Sequence, residues 1–229
     1  MKLLVFDTET TGLIKTCISP DTLHMLPIIV QFSYIVYDTE KQSITVSRDH
    51  IIKVPEGIVI PEESIQFHKI TNDISAKKGV PLTEVLNDFF EHLRTADTLI
   101  GHNVEFDVNM IKLELMRFIY NFDAGLADQL ALYKQNLHYL TNFQNIYCTL
   151  KSTISFCNIK AISKFGKSYL KFPKLVELHE KLFTTMPTNL HNSFNDILVT
   201  LRCFMKFKYD IDLLETCEVF KQYSVAIYI

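Results

Sequence analysis

Glycine (6) and proline (7) are scarce in this 229-residue chain, and no stretch rich in Ser, Gly or Pro reads as a linker. A flexible tether between separate domains is therefore not expected, and one domain is favoured over two. The five cysteines, Cys17, Cys148, Cys157, Cys203 and Cys217, are odd in number and lack Cys-x-x-Cys spacing. That excludes a disulfide framework or a zinc site, and points to reduced thiols in a cytosol-like compartment. No apolar run is long enough to span a bilayer. The start, Met1 to Asp7, has too short an apolar run for a signal peptide and ends in an acid, so no membrane partner is expected. An excess of positive charge is also missing. With a formal net charge of −3, a broad basic face for duplex DNA is not expected. A small site whose positive charge comes from metal ions stays open.

What is present is an ordinary globular core composition, 48% hydrophobic, enough to bury a real interior. Lys2 to Thr8 reads as a strand, apolar on both faces from Leu3 to Phe6 and so covered on both sides. Ile28 to Asp38 and Ile44 to Val54 read as strands about a polar turn at Thr39-Glu40-Lys41. Pro81 to Arg94 and Asn103 to Tyr120 have helical spacing, with a short buried strand, Thr98 to Gly101, between them. Ile146 to Leu150 reads as a strand, and Lys174 to Phe183 and Ser193 to Lys208 as helices. The order fits an α/β domain with a mixed sheet covered by helices. One segment stands apart: between Thr149 and Lys174 lie six lysines and no acid. It reads either as a solvated surface segment or as a loop that guides a phosphate backbone.

Four acids resist a purely structural reading. Asp7 and Glu9 end the first strand two residues apart, which puts both carboxylates on one face. Asp107 has Val104, Val108 and Ile111 at i−3, i+1 and i+4, on or beside the buried stripe of its helix. A carboxylate there needs a metal, a hydrogen-bond cluster or a base. Asp196 opens the last long helix, where the dipole alone would favour an acid. His191 lies five residues earlier. If both were helical they would point roughly 140° apart. They converge only if His191 sits on the loop before the helix, with Asn192 or Ser193 as N-cap. Four carboxylates can hold two Mg²⁺ or Mn²⁺ ions through oxygen, and a histidine nearby can accept a proton from an attacking water.

Three motifs carry a family resemblance. Phe6-Asp7-Thr8-Glu9-Thr10-Thr11-Gly12-Leu13, then Gly101-His102-Asn103-Val104-Glu105-Phe106-Asp107, then His191-x4-Asp196 resemble the DnaQ-like, or DEDDh, 3′→5′ exonucleases such as the proofreading subunit of DNA polymerase III. The pattern His-Asn-x-x-Phe-Asp arises by chance in on the order of one chain in a thousand. The third motif leans on order, because His68…Asp73 and His102…Asp107 share its spacing. Tyr34…Asp38 has the spacing of the tyrosine branch but comes too early. Pro27 to Phe32, Glu63 to Thr71, Tyr147 to Leu150 and Pro173 to Leu178 also resemble family segments, with Gln31 where Glu is frequent and Ser193 where Ala is usual. The match spans about residues 1–208, read as the exonuclease domain, and leaves 209–229 as an extension of unknown role.

The resemblance implies an RNase H-like α/β fold, two Mg²⁺ or Mn²⁺ ions, and release of 5′-mononucleotides from a nucleic-acid 3′ end. Asp7, Glu9 and Asp196 would ligate the metal that holds the attacking water. Asp7 would hold the second, with Asp107 helping directly or through water, and His191 would be the general base. Thr8 and Thr10 would contact the terminal nucleotide, Leu13 and Phe106 its base, and Glu63 and His68 its sugar. His102 and Asn103 join these substrate contacts through the second motif. Core packing is an equal reading for Leu13 and Phe106. The segment Ile14 to Met25, longer than in compact members, would line the site, cover it, or be a surface excursion. DNA is the favoured substrate, RNA the alternative, and an inactive binding module a third reading that five retained site residues disfavour. A DNA polymerase or a replication or repair factor is the implied protein partner.

Overall fold

The computed structural model describes residues 1–121 and 127–228. Strand β1 (Lys2–Thr10) pairs antiparallel with β2 (Ile29–Asp38), which pairs antiparallel with β3 (Ser43–Ile51). Three helices follow, α1 (Glu62–His68), α2 (Asn72–Lys78) and α3 (Leu82–Leu93). Strand β4 (Thr98–Gly101) then runs parallel to β1, and α4 (Val104–Tyr120), α5 (Ala127–Asn142) and the parallel strand β5 (Ile146–Cys148) complete the sheet in the order β3-β2-β1-β4-β5. Beyond it come two helical turns, α6 (Thr149–Ser152) and α7 (Ile154–Cys157), and a small hairpin, β6 (Lys160–Ile162) and β7 (Ser168–Leu170). The chain closes with α8 (Leu175–Phe183), α9 (Ser193–Tyr209), α10 (Leu213–Thr216) and α11 (Glu218–Tyr228). No helix among the described residues is long and apolar enough to cross a membrane.

The apolar run of β1 divides by the two-residue period of a strand. Leu4 and Phe6 pack with Val85 and Phe89 of α3 and Met110 and Ile111 of α4. Leu3 and Val5 pack with Leu178 of α8, Ile197 and Leu201 of α9, and Phe220 of α11. A strand between two helical layers must be apolar at every position, which is why its sequence does not alternate. Thus even-numbered β1 residues face one layer and odd-numbered ones the other, a division that decides how the site is assembled.

Several elements differ from the sequence reading. Ile146 to Leu150 is strand only as far as Cys148, because Thr149 starts α6 and its hydroxyl lies 2.9 Å from the His102 ring. Strand β3 stops at Ile51, and Ile52 makes only an isolated bridge to Val80. Helix α5 has little signal in the sequence, since ADQLALYKQNLHYLTN buries only Tyr133, Asn136 and Leu140 and carries a weak apolar stripe. The extension is not a loose tail: Leu213, Phe220 and Ile227 are fully buried in the core of the α9 layer. The Ile14 to Met25 segment folds back on α4. Leu23 is buried there, and Arg117 donates to the Leu23 and Leu26 carbonyls at 2.9 and 2.6 Å. It does not line the cleft described next.

Candidate active site

The carboxyl ends of β1, β4 and β5 open onto one cleft of about 910 Å³. Asp7 and Glu9 come from β1 and Asp196 from the first turn of α9. Both β1 acids are odd-numbered and so face the α9 layer. One oxygen from each of Asp7, Glu9 and Asp196 lies within 4.8 Å of the others. Asp107 arrives from the opposite layer. Its Oδ1 accepts from the Thr8 backbone N–H at 3.1 Å and from the Thr8 hydroxyl at 2.7 Å. Thr8 is even-numbered and faces α4, so the strand end joins the two layers through one residue. Gly101 lets α4 start this close to β4, since a Cβ there would sit 3.0 Å from the Val104 Cβ.

The turn carrying the third motif is built from several pieces. Asn192 is the N-cap of α9, its side chain accepting from the N–H groups of Phe194 and Asn195 at 3.2 and 3.3 Å. His191 stays outside the helix in a left-handed conformation (φ 66°). Its backbone N–H donates to Asp196 Oδ2 at 3.3 Å, and its ring meets Phe67 edge-on with centroids 5.6 Å apart. The convergence that helical geometry forbids is thereby achieved on a loop. Gln31 and Ser33 of β2 hold the helix start: Ser193 N–H donates to Gln31 Oε1 at 3.4 Å, and the Ser33 and Ser193 hydroxyls lie 2.5 Å apart. Ser193 is fully buried, so its hydroxyl needs this partner.

Four acids share the site, and among the described residues no lysine or arginine pairs with any of them. Burial, reinforced by the neighbouring carboxylates, raises the Asp7 carboxyl well above the usual carboxylate range and pushes Glu9 up to about 8. Burial lifts Asp107 to about 7 against the Thr8 hydrogen bonds, and Asp196 to about 7 against the His191 N–H. Asp196 Oδ1 is buried with no hydrogen-bond partner. Mutually repelling carboxylates, one with an orphan oxygen, fit a divalent cation bound through oxygen.

A carboxyl raised above its unfolded value of about 4 supports folding fully only below that pH, and the support is lost as the pH rises through the folded value. The metal-free protein is thus expected to lose stability between pH 4 and about 8. Glu9→Gln removes one charge and no hydrogen bond. Thermal melts in chelator should show the variant melting several degrees above wild type at pH 8, with the difference gone near pH 4. A variant that melts lower at pH 8 would contradict this electrostatic picture.

The substrate contacts suggested by the motifs separate into two groups. Thr8, Leu13, His102, Asn103 and Phe106 line the cleft. Leu13 is 66% exposed, which removes core packing as its role, whereas Phe106 is half-buried against the core. Thr10, Glu63 and His68 do not line it. The Thr10 hydroxyl donates to the Gly12 carbonyl at 2.7 Å and shapes the turn after β1. Glu63 is exposed in the first turn of α1. His68 is buried at the end of α1, with Nδ1 accepting from the Ile70 N–H at 3.0 Å, and burial lowers its pKa. His102 is a strut: Nε2–H donates to the Pro173 carbonyl at 3.1 Å, so Nδ1 accepts from the Thr149 hydroxyl. Burial brings its pKa down to about 4, so the ring is neutral.

Phe67 and Phe172 line the cleft and were not picked out as site residues from the sequence; both are more than half exposed. An exposed aromatic has no signature in a local pattern. Only the adjacency of Phe67 to His68, in a segment already suspected, could have flagged one of them.

The RNase T exonuclease family model matches residues 4–204. Solved structures of the same fold include exonuclease I of Methylocaldum szegediense, at 16% identity and a TM-score of 0.59 over 96% of this chain and 42% of that one. Exonuclease I of E. coli in complex with a dT13 oligonucleotide matches at 16% identity and a TM-score of 0.59 over 91% and 42%. A product-bound exonuclease I matches at 14% identity and a TM-score of 0.59, over 96% and 45%. At such identities the likeness is one of fold, and this chain spans less than half the length of those proteins. No curated protein sequence matches the chain.

Proposed function

This chain belongs to the RNase T family of hydrolytic 3′→5′ exonucleases, and from that premise we propose that it releases 5′-mononucleotides from single-stranded or frayed 3′ ends of DNA. The observation that carries the reading is the set of Asp7, Glu9 and Asp196 oxygens within 4.8 Å, with Asp107 tied to the same strand end through Thr8.

Asp7, Glu9 and Asp196 would hold one divalent cation, and Asp7 with Asp107 a second. Two Mg²⁺ or Mn²⁺ ions there would supply the positive charge that stabilises the attacking and leaving oxygens of a phosphodiester. The remaining work belongs to the chain itself. His191 is exposed on the cleft lip, where its imidazole can take the proton of the attacking water and return it to solvent. Its backbone bond to Asp196 couples the base to the carboxylate cluster, so both occupy one frame. Leu13, Phe67, Phe106 and Phe172 offer apolar contact to the terminal bases.

The test is product analysis on DNA oligonucleotides labelled at either end, with RNA in parallel, in Mg²⁺ and in Mn²⁺. A 5′ label is expected to yield a ladder shortening from the 3′ end, and a 3′ label a mononucleotide from the start. Chelator should stop both. Release that survives thorough chelation would overturn the metal-dependent reading, and preference for the RNA strand would move the substrate to the exoribonuclease alternative.

A further inference from the structure

We propose that the β6–β7 hairpin is a docking platform for the single-stranded DNA that trails from the 3′ nucleotide in the cleft, an inference that rests on the exonuclease reading above. The hairpin is short, with Lys160 opposite Leu170, Ala161 opposite Tyr169 and Ile162 opposite Ser168. A two-stranded hairpin buries little by itself, and this one leaves apolar side chains in water. Phe165 is 80% exposed, Ile162 77% and Tyr169 51%. A cluster of exposed apolar side chains on so small an element marks a contact surface.

Its charge selects the partner. Lys151 pairs with Glu105 and Lys171 with Glu177. Among the described residues no acid pairs with Lys160, Lys164 or Lys167, and the Lys164 ammonium lies 5.1 Å from the Phe165 ring centroid. Cations interleaved with exposed rings suit a strand that offers phosphates and open base faces together. A duplex keeps its base faces stacked within, and an apolar protein surface would strip these lysines of water without compensation.

Position joins the hairpin to the cleft. β7 ends at Leu170, and Phe172, Pro173 and Lys174 line the cleft wall. The His102 hydrogen bond to the Pro173 carbonyl pins that junction. At about 3.3 Å per residue, the seven steps from Phe172 back to Phe165 keep the hairpin tip within roughly 23 Å of the cleft wall. A strand whose end occupies the cleft therefore has a basic, aromatic surface beginning at its lip.

The test uses the whole 229-residue chain carrying Asp7→Asn, which prevents digestion, and a 5′-fluorescein oligo(dT) of about twenty nucleotides read by anisotropy across a salt series. Adding Phe165→Ala with Tyr169→Ala is expected to weaken binding at least about fivefold. Lys160→Glu with Lys164→Glu and Lys167→Glu is expected to weaken it at least about tenfold and to flatten the salt dependence by roughly two phosphates. Both sets lie on an exposed hairpin, so melting temperatures should stay at the parent value. In chains retaining Asp7, hydrolysis of the dinucleotide d(TT), which fills only the cleft, should be unchanged. Undiminished oligo(dT) affinity in both sets, or equal losses on oligo(dT) and d(TT), would overturn the platform. A wild-type chain that releases nucleotides from no substrate would instead overturn the exonuclease reading, and the oligo(dT) affinities would still decide whether the hairpin binds DNA.

Discussion

Replacing Asp7 with alanine is expected to lower nucleotide release at least about a thousandfold while the protein stays folded. Metal-borne charge stabilisation is worth several kcal/mol, and about 1.4 kcal/mol corresponds to a tenfold change in rate. Asp7 stands between the two halves of the site, its charge interacting with Asp107 from one layer, with Asp196 from the other and with Glu9 on its own strand. No other acid can substitute for it, since its neighbours on β1 are Phe6, facing the core, and Thr8, committed to Asp107. His191→Ala should cost about a hundred- to ten-thousandfold, the usual range for a general base. The ring makes no hydrogen bond among those described and is exposed, so the fold should be indifferent to its loss. Steady-state rates on labelled oligo(dT), with circular dichroism of each variant, decide the matter. Asp7→Ala retaining wild-type release would end the carboxylate mechanism.

Ending the chain at Tyr209 is expected to cost the fold itself. Leu213, Phe220 and Ile227 are each fully buried against the α9 layer, and removing a side chain of this size from a packed interior costs about 2–5 kcal/mol. The same cut removes Asp212, whose carboxylate holds the Arg202 guanidinium in a fork at 2.8 and 2.7 Å, and Tyr228, whose ring covers it at 4.6 Å. Arg202 would lose its carboxylate partner and keep, among the described hydrogen bonds, only the contact to His179 Nε2 at 3.0 Å, which is destabilising. Together these losses rival the whole stability of a domain, about 5–15 kcal/mol. Insoluble protein, or a chain with no cooperative melt, is the expected result; a truncated chain melting within a few degrees of full length would refute it. Phe220→Ala is the milder probe and should lower the melting temperature by roughly 10 °C.

The last helix also bears on the site. The carbonyls of Ala226 and Ile227, at the open end of α11, accept from Asn189 Nδ2 at 2.7 Å and from the Thr188 N–H at 3.0 Å. These bonds fix the loop that delivers His191 two residues later. Nothing in residues 209–229 resembles a nuclease motif, yet the segment braces one. Such contacts join residues nearly forty positions apart, and their acceptors are backbone carbonyls, which every residue carries, so no side-chain pattern on α11 announces them.

Local chemistry made much of the protein legible. The unbroken apolar run of β1, the spacing of Asp7 and Glu9, and the acid on the buried face of α4 are consequences of strand and helix periods, and periods are written in the chain. The N-cap at Asn192 follows likewise from a short polar side chain before an apolar helix. Three things came only from tertiary structure. Asp107 meets the other carboxylates through Thr8 because two layers close over one strand end. Thr10, Glu63 and His68 fall outside the cleft while Phe67 and Phe172 enter it, because exposure depends on what packs alongside. The tail belongs to the core because its few apolar residues find partners on α9, a complementarity between distant segments that exists only once both are folded.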